Sequence, residues 1–114
     1  KTIAYTLANG LETTRVKMNK QQEIMDILQE ECAEVIQAVS KARRFGLDNA
    51  HKSGKTQREN LVTEVGDVLC MIELLTEHGV IDAPSVQAAI RSKREKLHQW
   101  SNIFKEDTCT PASK

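Results

Sequence analysis

Two segments decide the fold: NKQQEIMDILQEECAEVIQAVSKARRFG, residues 19–46, and TQRENLVTEVGDVLCMIELLTEHG, residues 56–79. In the first, apolar residues recur at Ile24, Ile27, Leu28, Val35, Ala38 and Val39, the spacing of one face of an α-helix. Asn19 can cap its start, with Gln22 as the reciprocal partner of a capping box. Lys41, Arg43 and Arg44 put cations in its last turns, where they suit the helix dipole, and Gly46 can end it in a left-handed conformation. The second segment repeats the pattern. Thr56 and Glu59 form a capping box, Leu61, Val65, Val68, Leu69, Ile72 and Leu75 form the apolar repeat, and Gly79 terminates the helix.

Outward from these helices the signals weaken. Residues 46–55 read as a loop rich in Gly, Asp, Asn and Ser. Asp82 caps a third helix with Pro84 in its first turn; Val86, Ala89, Ile90 and Leu97 give it a weaker apolar face. Residues 1–18 read as an extended or irregular arm with a turn near Asn9-Gly10, and residues 107–114 as a flexible tail. The expectation is one all-α domain over residues 1–114, with an arm at 1–18 and a helical bundle at 19–100; a self-contained core is possible at this length, but oligomerisation would help to complete it.

Composition excludes several classes. Sixteen basic and sixteen acidic residues balance to zero net charge, unlike a dedicated nucleic-acid binder. No apolar run is long enough to span a membrane and no signal peptide is visible. Cys32, Cys70 and Cys109 are far apart and form no CxxC pair, which speaks against a zinc knuckle or disulfide framework. A reduced, cytoplasmic setting is expected, with Cys32 and Cys70 as small buried apolar residues.

The chemistry lies in the acids. The first helix carries Glu30-Glu31-Cys32-Ala33-Glu34 and the second Glu64-Val65-Gly66-Asp67. Residues three apart on a helix differ by about 60° around its axis, so each pair points one way. On the helical wheel Glu31 falls inside the apolar arc, between Ile27 or Ala38 and Ile24 or Val35. Glu34 lies at the edge of the arc and Glu30 further out. Glu64 falls between Met71 and Leu75, and Asp67 between Leu74 and Met71. None of the five has a Lys or Arg three or four residues away on its own helix. Carboxylates turned toward a core without local bases need a compensating charge. Mg²⁺ is the natural one, a hard cation that prefers oxygen ligands. Di-iron chemistry is disfavoured because no Glu-x-x-His occurs at either pair.

The pattern Glu-Glu-x-x-Glu followed by Glu-x-x-Asp, in helices of this kind, resembles the MazG-like all-α NTP pyrophosphohydrolases, small stand-alone and phage-type members included, over roughly residues 19–79. The resemblance implies Mg²⁺-dependent hydrolysis of (deoxy)nucleoside triphosphates to monophosphate and pyrophosphate, with Mn²⁺ as a substitute metal, by a homodimer or homotetramer. By position it implies Glu31, Glu34, Glu64 and Asp67 as metal ligands, with Glu30 binding a further metal, positioning water or acting as a base.

Cations must meet the polyphosphate. Candidates are Lys41 and Arg44, Lys55 and Arg58, with free N–H donors at the start of the second helix; for each an ordinary surface position is the alternative. Trp100 is the candidate for stacking a base, with Phe104 four residues on if the helix continues; an interface or core role is the favoured alternative for both. Arg91, Lys93, Arg94 and Lys96 read as a solvated face, and His51 as loop decoration. His78 and His98 lie near helix C-termini, where the dipole accounts for them. The expected role is control or house-cleaning of a nucleotide pool. Two alternatives stand: a phosphoribosyl-ATP-type pyrophosphohydrolase, with little activity on simple dNTPs, and a non-catalytic assembly module whose acids pair with basic clusters on another helix.

Overall fold

The computed structural model describes residues 2–6, 12–16, 19–50 and 52–107. In chain order these form strands β1 (Thr2–Thr6) and β2 (Glu12–Val16) and helices α1 (Lys20–Phe45), α2 (Gln57–Glu77) and α3 (Ala83–Trp100). The chain divides into two compact units, residues 1–80 and 81–114.

The N-terminal arm is more ordered than its sequence suggested. β1 and β2 pair antiparallel, with Thr2 opposite Val16 and Thr6 opposite Glu12. Both segments carry β-branched residues (Thr2, Ile3 and Thr6; Thr13, Thr14 and Val16), which favour a pleated backbone. The expected turn at Asn9-Gly10 lies outside the described residues, as do His51 and all of the expected tail beyond Asp107. From residue 19 onward the named elements are all helical.

The ends of α1 and α2 follow from side chains named in the sequence. At α1, Asn19 Oδ1 accepts from Gln22 N at 2.8 Å while Asn19 N donates to Gln22 Oε1 at 3.1 Å. At α2, Glu59 N donates to Thr56 Oγ1 at 3.1 Å and Thr56 N to Glu59 Oε1 at 3.0 Å. Gly46 ends α1 at φ 86°. A Cβ there would stand 3.0 Å from Asn49 Nδ2, whose amide donates to Phe45 O. α2 ends at His78 and is followed by Gly79 at φ 74°.

α1 and α2 pack as an antiparallel pair. Gln21 Nε2, in the first turn of α1, donates to His78 O beyond the end of α2 at 2.9 Å. At the other end, Arg58 N donates to Leu47 O at 2.8 Å. The seam shows a seven-residue rhythm. Ile24 and Ala38 are buried with Glu31 half-buried between them, and Gln57 and Met71 are buried with Glu64 half-buried between them. Such spacing keeps one stripe of each helix facing the other.

Cys32 and Cys70 correct the expectation that they are buried: both are free and exposed. Each sits one residue from a seam position, Glu31 or Met71, and so about 100° around the helix from it.

In the second unit, Asp82 Oδ2 accepts from Ser85 N at 2.9 Å and caps α3. The helix does not continue past Trp100. Ser101 N and Oγ both donate to Leu97 O, and the chain turns away. Trp100 and Phe104 therefore do not stack as helical neighbours; Phe104 packs instead on the His98 ring, with centroids 4.1 Å apart. Among the described residues no helix is long and apolar enough to cross a membrane.

Two substitutions test this account of the helices. Thr56→Ala removes the α2 cap and should cost about 1 kcal/mol in chemical denaturation. Gly66, in the middle of α2, has open space where a Cβ would stand. Gly66→Ala should therefore raise stability by up to about 1 kcal/mol, through backbone entropy and helix propensity.

Candidate metal and nucleotide site

The acids of α1 and α2 meet across the seam. One carboxylate oxygen each from Glu31, Glu64 and Asp67 lie within 4.8 Å of one another. Glu31 and Glu64 are half-buried because they occupy seam positions; Asp67, a turn along α2 from Glu64, is exposed and opens the cluster to solvent. The charge of Glu34 bears on Glu64 and that of Asp67 on Glu31, while Glu34 itself lies outside the three-residue group. Glu30 is exposed and lies outside the three-residue group.

Electrostatics show the strain of this convergence. Partial burial, followed by the charge of Asp67, holds the Glu31 carboxyl above its ordinary value. Partial burial, followed by the charge of Glu34, does the same for Glu64. Among the described residues no Lys or Arg comes within ion-pair distance of these acids; the one such pair is Arg58–Asp48. An all-oxygen donor set, open on one side and lacking a protein cation, has the chemistry that Mg²⁺ or Mn²⁺ requires.

Beside the acids a cleft of about 240 Å³ is lined by Glu34, Lys41, Lys55, Gln57, Thr63 and Glu64, among others. Two of the four cations expected to meet phosphate thus share a cavity with two of the acids. The other two are engaged elsewhere. Arg58 forms a bidentate pair with Asp48, with Nε at 2.9 Å and Nη2 at 3.1 Å, and the Arg44 guanidinium lies 5.0 Å from the centroid of the Phe45 ring.

The start of α2 corrects a further expectation: its N–H groups are not free. Gln57 N donates to Asn49 O at 3.3 Å, Arg58 N to Leu47 O at 2.8 Å, and Glu59 N to Thr56 Oγ1. The loop of residues 46–55 folds back, through an Ala50–Thr56 bridge, and its carbonyls occupy the donors that a phosphate would have used. Trp100 is 77 % exposed at the end of α3, in the second unit.

Sequence reading missed Gln57, which is buried and lines the cleft. Its signal was present in the spacing: it stands seven residues before Glu64, on the same stripe of α2.

The signs of the carboxyl shifts give a pH test. A carboxyl whose folded value is raised opposes folding when ionised; the penalty is relieved as pH falls through the raised value and is gone below its ordinary value, near 4.5. Asp48, Glu59 and Asp82 act oppositely. Their values are lowered by hydrogen bonds to Arg58, Thr56 and Ser85 respectively, and their support is lost in acid. In metal-free protein, Glu31→Gln with Glu64→Gln should melt above wild type at pH 7, and the gap should close toward pH 4. An unchanged gap across that range would contradict the repulsion described above.

The family model of the MazG nucleotide pyrophosphohydrolase domain matches residues 19–101, most of the chain and all of the acids above. No curated protein and no solved structure matches the chain. The match to the family model covers well over half of the chain, and the chain belongs to the MazG nucleotide pyrophosphohydrolase family.

Proposed function

We propose that this protein is a Mg²⁺-dependent nucleoside triphosphate pyrophosphohydrolase, converting (d)NTP to (d)NMP and pyrophosphate in the control or cleansing of a nucleotide pool. The observation that carries this reading is the convergence of carboxylate oxygens from Glu31, Glu64 and Asp67 to within 4.8 Å, with no protein cation among the described residues to neutralise them.

Glu31, Glu34, Glu64 and Asp67 would hold the metal, and Mn²⁺ would serve in its place. A divalent ion bound there supplies charge stabilisation to the phosphates and a readily deprotonated water. The chain's own groups do the rest. Lys41 and Lys55, lining the adjoining cleft, balance the phosphate charge. Glu30, exposed one turn before Glu34, is the base that takes the proton as water attacks the α-phosphorus and the bond to pyrophosphate breaks. Arg44 and Arg58, held by Phe45 and Asp48, would contribute less than the two lysines.

A homodimer or homotetramer is part of this reading. Ile36, Val62 and Leu69 on α1 and α2 are 69 %, 66 % and 54 % exposed, apolar side chains that contact with further copies would cover. The exposed free thiols of Cys32 and Cys70 support a reducing, cytoplasmic setting.

The test is incubation with each canonical NTP and dNTP in Mg²⁺, with the products identified. Monophosphate and pyrophosphate are expected; diphosphate and orthophosphate, or no turnover on any of them, would contradict the reading. Glu34→Gln and Asp67→Asn, made separately, should each reduce kcat/KM by more than the ~10–100-fold typical of losing an outer-shell partner. Helicity should be unchanged.

A further inference from the structure

Gln57 is 2 % exposed, and its Oε1 has no hydrogen-bond partner among the described residues. A buried acceptor left unpaired is costly, and glutamine is seldom buried without cause. The residue stands between two cavities. On one side is the cleft of about 240 Å³ shared with Glu34, Glu64, Lys41 and Lys55. On the other is a groove of about 430 Å³ lined by Phe45, Asn49, Ala50, Lys52 and Gln57 itself.

The two cavities differ in chemistry. The cleft is polar and charged, and its volume falls below the ~300–1,000 Å³ that whole ligands occupy, so a nucleotide entering it must extend beyond. The groove is walled by an aromatic ring, 51 % exposed, with carboxamides beside it. An aromatic face accepts any base by stacking, and carboxamides read base edges. The main chain under the ring is anchored locally, since Asn49 Nδ2 donates to Phe45 O and Gly46 at φ 86° leaves room for that amide; the Arg44 guanidinium lies over one face of the ring, so a base would stack on the other.

We infer that the groove seats the nucleobase of the substrate, its ring against Phe45, with the Gln57 carboxamide turning its buried Oε1 toward the groove to accept an amino or imino N–H. The phosphates then run along the cleft past Lys41 and Lys55 toward the acids. The orphan acceptor sets this polarity, because a carboxamide oxygen repels phosphate and calls for a donor. The inference rests on the nucleotide reading above and names the base subsite within it. Phe45, in the same unit as the acids, takes the stacking role that sequence had assigned to Trp100.

The full chain is titrated calorimetrically with each of the four deoxynucleoside monophosphates in Mg²⁺, and kcat and KM are measured for the matching triphosphates. Phe45→Ala and Gln57→Met should each weaken monophosphate binding about tenfold and raise KM more than they lower kcat. Gln57→Met should also compress the differences between bases, whereas Gln57→Glu, which keeps an acceptor, should preserve them. Inhibition by inorganic tripolyphosphate should be unchanged in all three. Unaltered monophosphate binding and base ranking in both Phe45→Ala and Gln57→Met would overturn the inference and leave Gln57 satisfied by an ordered water only. Base-dependent monophosphate binding that Phe45→Ala abolishes, in a wild type that cleaves no triphosphate, would sink the hydrolase reading and keep the subsite. Should Gln57→Met fail to fold, the exposed Phe45 decides the matter.

Discussion

Half-buried carboxylates on facing stripes of α1 and α2 constrain everything near them. Glu31 and Glu64 occupy places in the seam that an apolar side chain would fill at lower cost, and their charges meet those of Asp67 and Glu34. Burying like charges together opposes folding unless a counter-charge arrives. The chain supplies none at ion-pair distance among the described residues. The helix pair therefore carries a built-in deficit at its centre, which the buried Ile24, Ala38, Met71 and Leu75 must outweigh. A site that stores repulsion in the absence of its ligand is a site prepared to bind a cation.

The helix caps and the loop between α1 and α2 serve to hold that arrangement. Reciprocal caps fix where α1 and α2 begin, and so which residues fall on the seam. The loop between them is tied down by the Asp48–Arg58 pair, the Ala50–Thr56 bridge and main-chain bonds to the first turn of α2. An exposed ion pair of this kind contributes little to stability. Its larger consequence is geometric: it withdraws Arg58 from the cleft and leaves Lys41 and Lys55 beside the acids. The same fold-back places Phe45 and Gln57 along one cavity wall.

Much of this was legible in the sequence because it is local. Caps at Asn19, Thr56 and Asp82, and stops at Gly46 and Gly79, depend on residues within one turn. The direction of Glu31 and Glu64 follows from helical period alone. What was not legible depends on tertiary return of the chain. That the N–H groups of Gln57 and Arg58 are taken by Asn49 and Leu47 cannot be read from residue types, since any backbone carbonyl would serve. The exposure of Cys32 and Cys70 follows from their places on the helical wheel, one residue off the seam, and not from residue type. The pairing of residues 2–6 with 12–16 lacked a strict alternation to announce it, and Trp100 drew attention through its chemistry while lying in the other unit.

The claim that the acids converge to bind a divalent cation is tested most directly by electron paramagnetic resonance of Mn²⁺ titrated with the nucleotide-free protein. Loss of the six-line signal of the free ion at stoichiometric protein is predicted, with recovery on adding excess Mg²⁺ and no loss with Asp67→Asn. A free-ion spectrum undiminished by wild-type protein, or diminished equally by Asp67→Asn, would contradict it.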